Sequence, residues 1–286
     1  MKFKRTVLAV SISAAIATLT ACGGGGGGGG AGPTGSNSAA ISSQVPFYTP
    51  TRVGAIVPLV TSTYNYGIST PLSVDLTGTG KENVVIYSTE SASDTSSTDW
   101  KSSKLFVYGW SGNQLVDQTS QWFSGTDNVV VGANMVKFGD LAGNGLQSMF
   151  VAPYTDERRL ATQISVFVNE GTRFTRYNID LPYTLNSHDS TLFRYNGVDN
   201  AVAVDYGLNT TFVFGSNTRD FRAYSVNSWT GSGSAIAAGD FTGSGRPTFI
   251  IGDTGFNRYS TRLIDWAFNG SAVTLTEIGI LPLPRF

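Results

Sequence analysis

Cysteine and histidine are almost missing from this 286-residue sequence: Cys22 is the one cysteine and His188 the one histidine. No disulfide can form within the chain, so the ordered part must be held by a packed core. The common zinc sites, which combine several Cys and His side chains, are excluded too. No Gly-x-Ser-x-Gly elbow is present. His188 stands in Leu185-Asn186-Ser187-His188-Asp189-Ser190, and sequence neighbours on one loop do not supply the geometry of a Ser-His-Asp triad. Charge is scarce at 14% of residues. Beyond the N-terminus there is no basic cluster, which argues against nucleic acid and against a peripheral lipid-binding face. Also missing is any window of about twelve residues with a helical apolar stripe and a cap.

The N-terminus reads as an export signal. Lys2, Lys4 and Arg5 form a positive patch, and Thr6 to Thr18 is an apolar run too short for a stable membrane-spanning helix. Leu19-Thr20-Ala21-Cys22 follows. It resembles the lipobox of bacterial lipoproteins, with a small residue before the cysteine. The resemblance implies cleavage before Cys22, a diacylglycerol on its thiol and an acyl group on the freed amine. Several acyl chains at one residue give lasting membrane attachment, at about 0.8 kcal/mol per buried methylene. Gly23 rather than Asp after the cysteine resembles cargo sent to the outer membrane in Gram-negative bacteria. Residues 1–21 are thus the expected signal peptide.

Residues 22–44 are the expected lipid-anchored linker. Gly23 to Gly30 are consecutive glycines, with nothing to bury and maximal backbone entropy, which predicts a flexible tether. No strand precedes them and no helix or Lys follows, so they are not a phosphate loop. Removing residues 1–21 takes away three basic and no acidic groups, leaving 16 basic against 20 acidic and a formal charge of −4.

Residues 45–286 are the expected folded domain. Its composition of Gly, Ser, Thr, Asn, aromatic and β-branched residues, with short apolar runs between Gly/Asn/Asp turns, predicts an all-β fold. Three segments align without gaps: Asp75-Leu76-Thr77-Gly78-Thr79-Gly80 before the strand Asn83 to Tyr87, Asp140-Leu141-Ala142-Gly143-Asn144-Gly145 before Ser148 to Ala152, and Asp240-Phe241-Thr242-Gly243-Ser244-Gly245 before Thr248 to Gly252. A hairpin signal follows each, around Gly112-Asn113, Asn169 to Thr172, and Asn269-Gly270. A worn copy lies between the second and third, with Asn196-Gly197 before Ala201 to Val204 and Phe212 to Asn217 later. Four units of 45–65 residues result, each readable as strands A to D. One such sheet cannot bury both faces alone, so neighbours must stack, as in a β-propeller.

The Asp-x-x-Gly-x-Gly loop followed by an Asn/Gly hairpin resembles the FG-GAP/VCBS repeat, over about Leu72 to Glu277. The resemblance implies a β-propeller of four-stranded blades. Members of the family close with about seven, whereas this chain has room for four, or five if Arg52 to Thr61 supplies strands. A small closed propeller, an open arc completed by a second copy, and one part of a larger assembly all stay open. The family's loop often binds calcium through alternate oxygen ligands. The matching positions here are Asp75, Thr77, Thr79 and Asn83; Asp140, Ala142, Asn144 and Ser148; and Asp240, Thr242, Ser244 and Thr248. One carboxylate per loop predicts weak calcium binding or none, and otherwise no cofactor. Each Asp is then a turn-former accepting from its own backbone N–H groups.

Such a strand order puts A–B and C–D turns at one end and the variable B–C connections at the other. The B–C segments carry Trp100, Tyr154, Tyr206, Phe256 and Tyr259, with Arg158, Arg159 and Arg258. Aromatic and arginine groups at one end of a rigid scaffold suit a binding surface, though the aromatics could equally pack down over the strand ends. The sequence therefore reads as an envelope lipoprotein, on either side of the outer membrane, that binds a glycan or protein partner without catalysis. A carbohydrate-active lyase or hydrolase is the alternative, and would need convergent carboxylates or a Tyr/Arg pair.

Overall fold

The computed structural model describes residues 65–67, 71–91, 103–112, 114–130, 133–153, 162–205, 210–226, 233–253 and 260–282. The chain divides after Pro50, and every described residue belongs to the part from Thr51 to Phe286. Cys22 and Arg52 to Thr61 lie outside the described residues.

The fold is all-β, as expected, and runs as four antiparallel meanders. The first sheet holds β1 (Asn65–Gly67), β2 (Pro71–Val74), β3 (Asn83–Ser91), β4 (Ser103–Ser111), β5 (Gln114–Asp117) and the short β6 (Val129–Val130). The second holds β7 (Ala133–Gly139), β8 (Ser148–Pro153), β9 (Gln163–Asn169) and β10 (Phe174–Asp180). β11 (Ser187–Tyr195), β12 (Val198–Asp205), β13 (Thr210–Phe214) and β14 (Arg222–Val226) make the third. β15 (Gly233–Gly239), β16 (Thr248–Asp253), β17 (Ser260–Phe268) and β18 (Val273–Pro282) make the fourth. Strands A to D of each unit are therefore β2–β5, β7–β10, β11–β14 and β15–β18. β1 and β2 both pair with β3, which makes them two pieces of one strand A. A single helical turn, α1 (Thr119–Trp122), follows β5 and was not anticipated.

Side chains alternate along a strand, and residues directly opposite in a pair share a face. A buried polar residue stands at the start of strand B in three units (Asn83, Ser148 and Thr248) and two residues into it in the third unit (Asn200). Counted from it, the first and third residues of strand B face the preceding sheet, and the second and fourth face the next. Met149 and Val151 accordingly join the core with Val85, Leu105 and Val107 of the first sheet. Phe150 and Ala152 join Ala201 and Ala203 in a second core, and Val202 and Val204 join Phe249 and Ile251 in a third. Four sheets thus share three cores, between consecutive neighbours in the chain.

The cores are filled differently. Between the first and second sheets α1 and its C-cap contribute Trp122 and Phe123, with the Trp122 ring 5.2 Å from that of Phe174. The third core is aromatic: Phe193 meets Trp266 edge-on at 5.2 Å and Phe249 at 5.3 Å. Each fully buried ring of this kind contributes about 1.5–3 kcal/mol by burial alone, which a chain without disulfides requires.

Candidate functional site

The end carrying the A–B loops and C–D turns is built by local sequence. In three units the A–B loop has eight residues between strands, and in the worn third unit it is the two-residue turn Asn196-Gly197, with φ of 51° and 79°. Two consecutive positive φ values define a type I′ hairpin, which Asn-Gly fits. In the eight-residue loops the paired glycines take the same left-handed region, Gly78 and Gly80 at 69° and 79° in the first.

Each loop closes around its Asp. The Asp75 carboxylate accepts from the backbone N–H of Thr77 at 3.1 Å, Thr79 at 3.2 Å and Gly80 at 2.5 Å, and from the Thr77 hydroxyl. Asp240 accepts from the N–H of Ser244 at 2.9 Å and Gly245 at 2.7 Å. The Gly80 N–H before all else holds the Asp75 carboxyl below its ordinary pKa, and Gly245 does the same for Asp240. Asp140 accepts from the Asn144 N–H at 2.9 Å. The turn-forming role is therefore what these carboxylates perform.

The remaining loop positions divide. Thr77 pairs with Thr79 by hydroxyls 2.7 Å apart, and Thr242 with Ser244 at 3.0 Å. Asn144 instead donates to the Asn169 carbonyl at 2.8 Å. Asn83, Ser148 and Thr248 do not belong to the loop rim. They are buried in the sheet, where Thr248 donates to the Gly239 carbonyl and Ser148 accepts from the Asn169 N–H. Among the described residues no three of His, Cys, Asp or Glu converge on a metal-sized space.

This end also joins neighbouring sheets. The Asn169 carboxamide donates to the Leu76 carbonyl at 2.7 Å. The Asp140 N–H donates to the Asp199 carboxylate at 2.7 Å, and Asp199 N–H returns a bond to the Asp140 carbonyl at 3.0 Å. Ser216 N–H donates to Leu141, and Arg219 to Ala142, linking the third sheet to the second.

The opposite end carries the B–C connections, whose strands end at Ser91, Pro153, Asp205 and Asp253. Trp100, Tyr154, Arg158, Arg159, Tyr206, Phe256, Arg258 and Tyr259 lie outside the described residues. Described polar groups do gather here on the third sheet. Asp205 is 2% exposed and accepts from the Asn186 N–H at 3.2 Å. The Tyr183 hydroxyl bonds to Thr211 at 2.7 Å and to Ser225, and burial pushes its pKa up. The sequence offered one signal for this cluster, an Asp placed directly after the apolar run Ala201 to Val204. His188 lies half-buried on β11 rather than on a loop. The adjacent Asp189 carboxylate accepts from the N–H groups of Ser190 at 2.8 Å and Ile236 at 3.0 Å. It fastens β11 to β15.

Among the described residues no helix is long and apolar enough to cross a membrane. No family model and no curated protein matches the chain. Among solved structures, one described as BBS1N in complex with ARL6DN aligns at 10% identity over 76% of this chain and 86% of that one, with a TM-score of 0.30. Likeness at that level carries no argument about fold or function.

Proposed function

We propose that this chain is a bacterial envelope lipoprotein, anchored through Cys22, whose four sheets are blades of an FG-GAP/VCBS-type β-propeller. It binds a glycan or protein ligand through the B–C end and catalyses no reaction. The observation that carries this reading is the contrast between the two ends. A–B loops keep one length in three units and are committed to their own backbone and to neighbouring sheets. The B–C connections run from four residues, after Asp205, to eleven, after Ser91. A scaffold end whose connections all differ in length, opposite one whose loops share a length in three of four units, suits ligand recognition.

Two measurements test it. Metabolic labelling with a tritiated fatty acid should mark the parent and leave Cys22→Ser unmarked. Glycan-array and envelope-extract binding should fall at least about tenfold in the combined Trp100→Ala, Tyr206→Ala, Tyr259→Ala variant. Binding that survives this variant and fails when the C–D turns are changed would place the ligand elsewhere. Product release from a polysaccharide substrate would replace binding by catalysis.

A further inference from the structure

Four sheets in series leave two faces that none of the three cores uses. On the fourth sheet this is the second-and-fourth face. It carries Ile250 of strand B, Leu263 opposite it, and Ala237 opposite Ile250 on the other side. Ala235 and Leu281 extend it, opposite Gly252 and Thr261. Ile250 and Leu263 are half-buried, while Ala235, Ala237 and Leu281 are exposed. Among the described residues the ion pair on this face, Arg246 with Asp265, sits at the A–B end.

On the first sheet the unused face is the first-and-third one. Val84 lies opposite Tyr108 and Ile86 opposite Phe106, and Trp110 with Leu115 continues the face toward the C–D turn. Trp110 is 53% exposed. None of these residues belongs to one of the three cores shared by neighbouring sheets, although Tyr108 is itself buried.

The two surfaces are of opposite kind. Among the described residues all three cores join the second-and-fourth face of one sheet to the first-and-third face of the next. We infer that the second-and-fourth face of the fourth sheet docks on the first-and-third face of the first sheet of a second copy, continuing the same stacking between chains. The small residues Ala235, Ala237 and Gly252 of the fourth sheet leave the space into which the larger Phe106 and Trp110 of the partner copy fit. The contact is head-to-tail, so in a pair each chain offers both faces at once, and a pair whose rotation closes satisfies both. The inference does not depend on which ligand the B–C end takes.

Sedimentation velocity of the full chain, extracted in a density-matched detergent, reads the assembly directly. The parent should sediment as more than one copy at micromolar concentration. Leu263→Glu alone and Phe106→Glu alone should each weaken association at least tenfold, because a carboxylate would be buried without a partner. Mixing the two variants should pair more tightly than either variant alone, since the first sheet of one and the fourth sheet of the other remain intact and rebuild one of the two contacts. Ala237→Arg, at an exposed position, repeats the test where Leu263→Glu lowers the circular-dichroism melting temperature. A parent that stays monomeric up to about 100 μM, far weaker than the micromolar affinity expected, would overturn the inference. So would well-folded variants that associate like the parent, or variants that fail to complement each other.

Discussion

The side-chain amide of Asn169 donates to the main-chain carbonyl of Leu76, 93 residues earlier, across a distance of 2.7 Å. Asn169 is fully buried, and the same amide reaches the Gln147 carbonyl at 3.2 Å while its oxygen accepts from the Gly171 N–H at 2.8 Å. One residue thus shapes the C–D turn of the second sheet and ties it to the A–B loop of the first. Asn169→Ala leaves buried carbonyls without donors. It should cost about 1–3 kcal/mol, read as a lower urea midpoint with an unchanged slope.

Gly215 is hemmed in by main chain. A Cβ there would lie 2.3 Å from the Asp199 carbonyl oxygen and 2.8 Å from that of Leu141, where the second and third sheets meet. Neither atom can rotate away, so Gly215→Ala should destabilise by about 1–3 kcal/mol, at the upper end of that range. Gly252 is the comparison, since a Cβ there meets Ala235 at an ordinary 3.6 Å. Gly252→Ala should leave the melting temperature within a degree or two of the parent.

The guanidinium of Arg176 joins the first two sheets through bonds no lysine can reproduce together. It donates to the Val129 carbonyl at 2.5 Å, to Asn178 at 2.7 Å and to Ser165 at 3.2 Å, with its plane 5.5 Å from the centre of the Phe167 ring. Burial pulls its pKa down, but arginine stays charged. Arg176→Lys should lower stability by about 1–3 kcal/mol, and Arg176→Met by more than Arg176→Lys, measured by chemical denaturation.

Acid sensitivity follows from the A–B loops. The carboxyls of Asp75 and Asp240 have folded-state pKa values lowered from 3.8, chiefly by the N–H groups of Gly80 and Gly245. A depressed carboxyl contributes stability that is complete above its unfolded value and is lost as pH falls through the folded one. Stability should therefore decline below pH 3.8, and the Asp75→Asn, Asp240→Asn double variant should show a shallower decline over that window. Equal acid limbs in the two proteins would disprove the assignment.

Calcium should have little effect on the same loops. At the matched ligand positions each loop offers one carboxylate, and those of Asp75 and Asp240 already accept from backbone N–H groups with both oxygens in use. Calcium affinity tracks the number of charged ligands. Thermal midpoints in millimolar calcium and in EGTA should agree, whereas a rise in calcium of several degrees would show that the loops reorganise around the ion.

Much of the strand pattern was legible because it rests on local chemistry. Asp-x-x-Gly-x-Gly specifies a turn through an Asp acceptor and two left-handed glycines, and Asn196-Gly197 does the same in the worn copy, so all four units could be located. The sequence also separated the two ends of the sheets. It could not show that Asn83, Ser148 and Thr248 turn inward, because a polar residue beside a polar loop looks like part of it until the sheet is assembled. α1 was missed for a related reason: four residues carry no periodicity, and Trp122 is fixed there by Phe174, 52 positions away. The cluster of Tyr183, Asn186 and Asp205 depends on contacts of β12, β13 and β14 with the segment before β11, which no local motif encodes.

The alternation of faces along strand B constrains how such a chain can change its length over evolutionary time. Inserting a single residue between an A–B loop and Val85, Phe150, Val202 or Ile250 would exchange the two faces of that sheet and set every sheet packed on it against the wrong side chains. Gains and losses of residues are then tolerable only where they leave this parity untouched, in the segments joining B to C, or as whole four-stranded units. A–B loops of eight, eight, two and eight residues, all even in number, beside B–C connections of four to eleven residues are the record such a filter would leave.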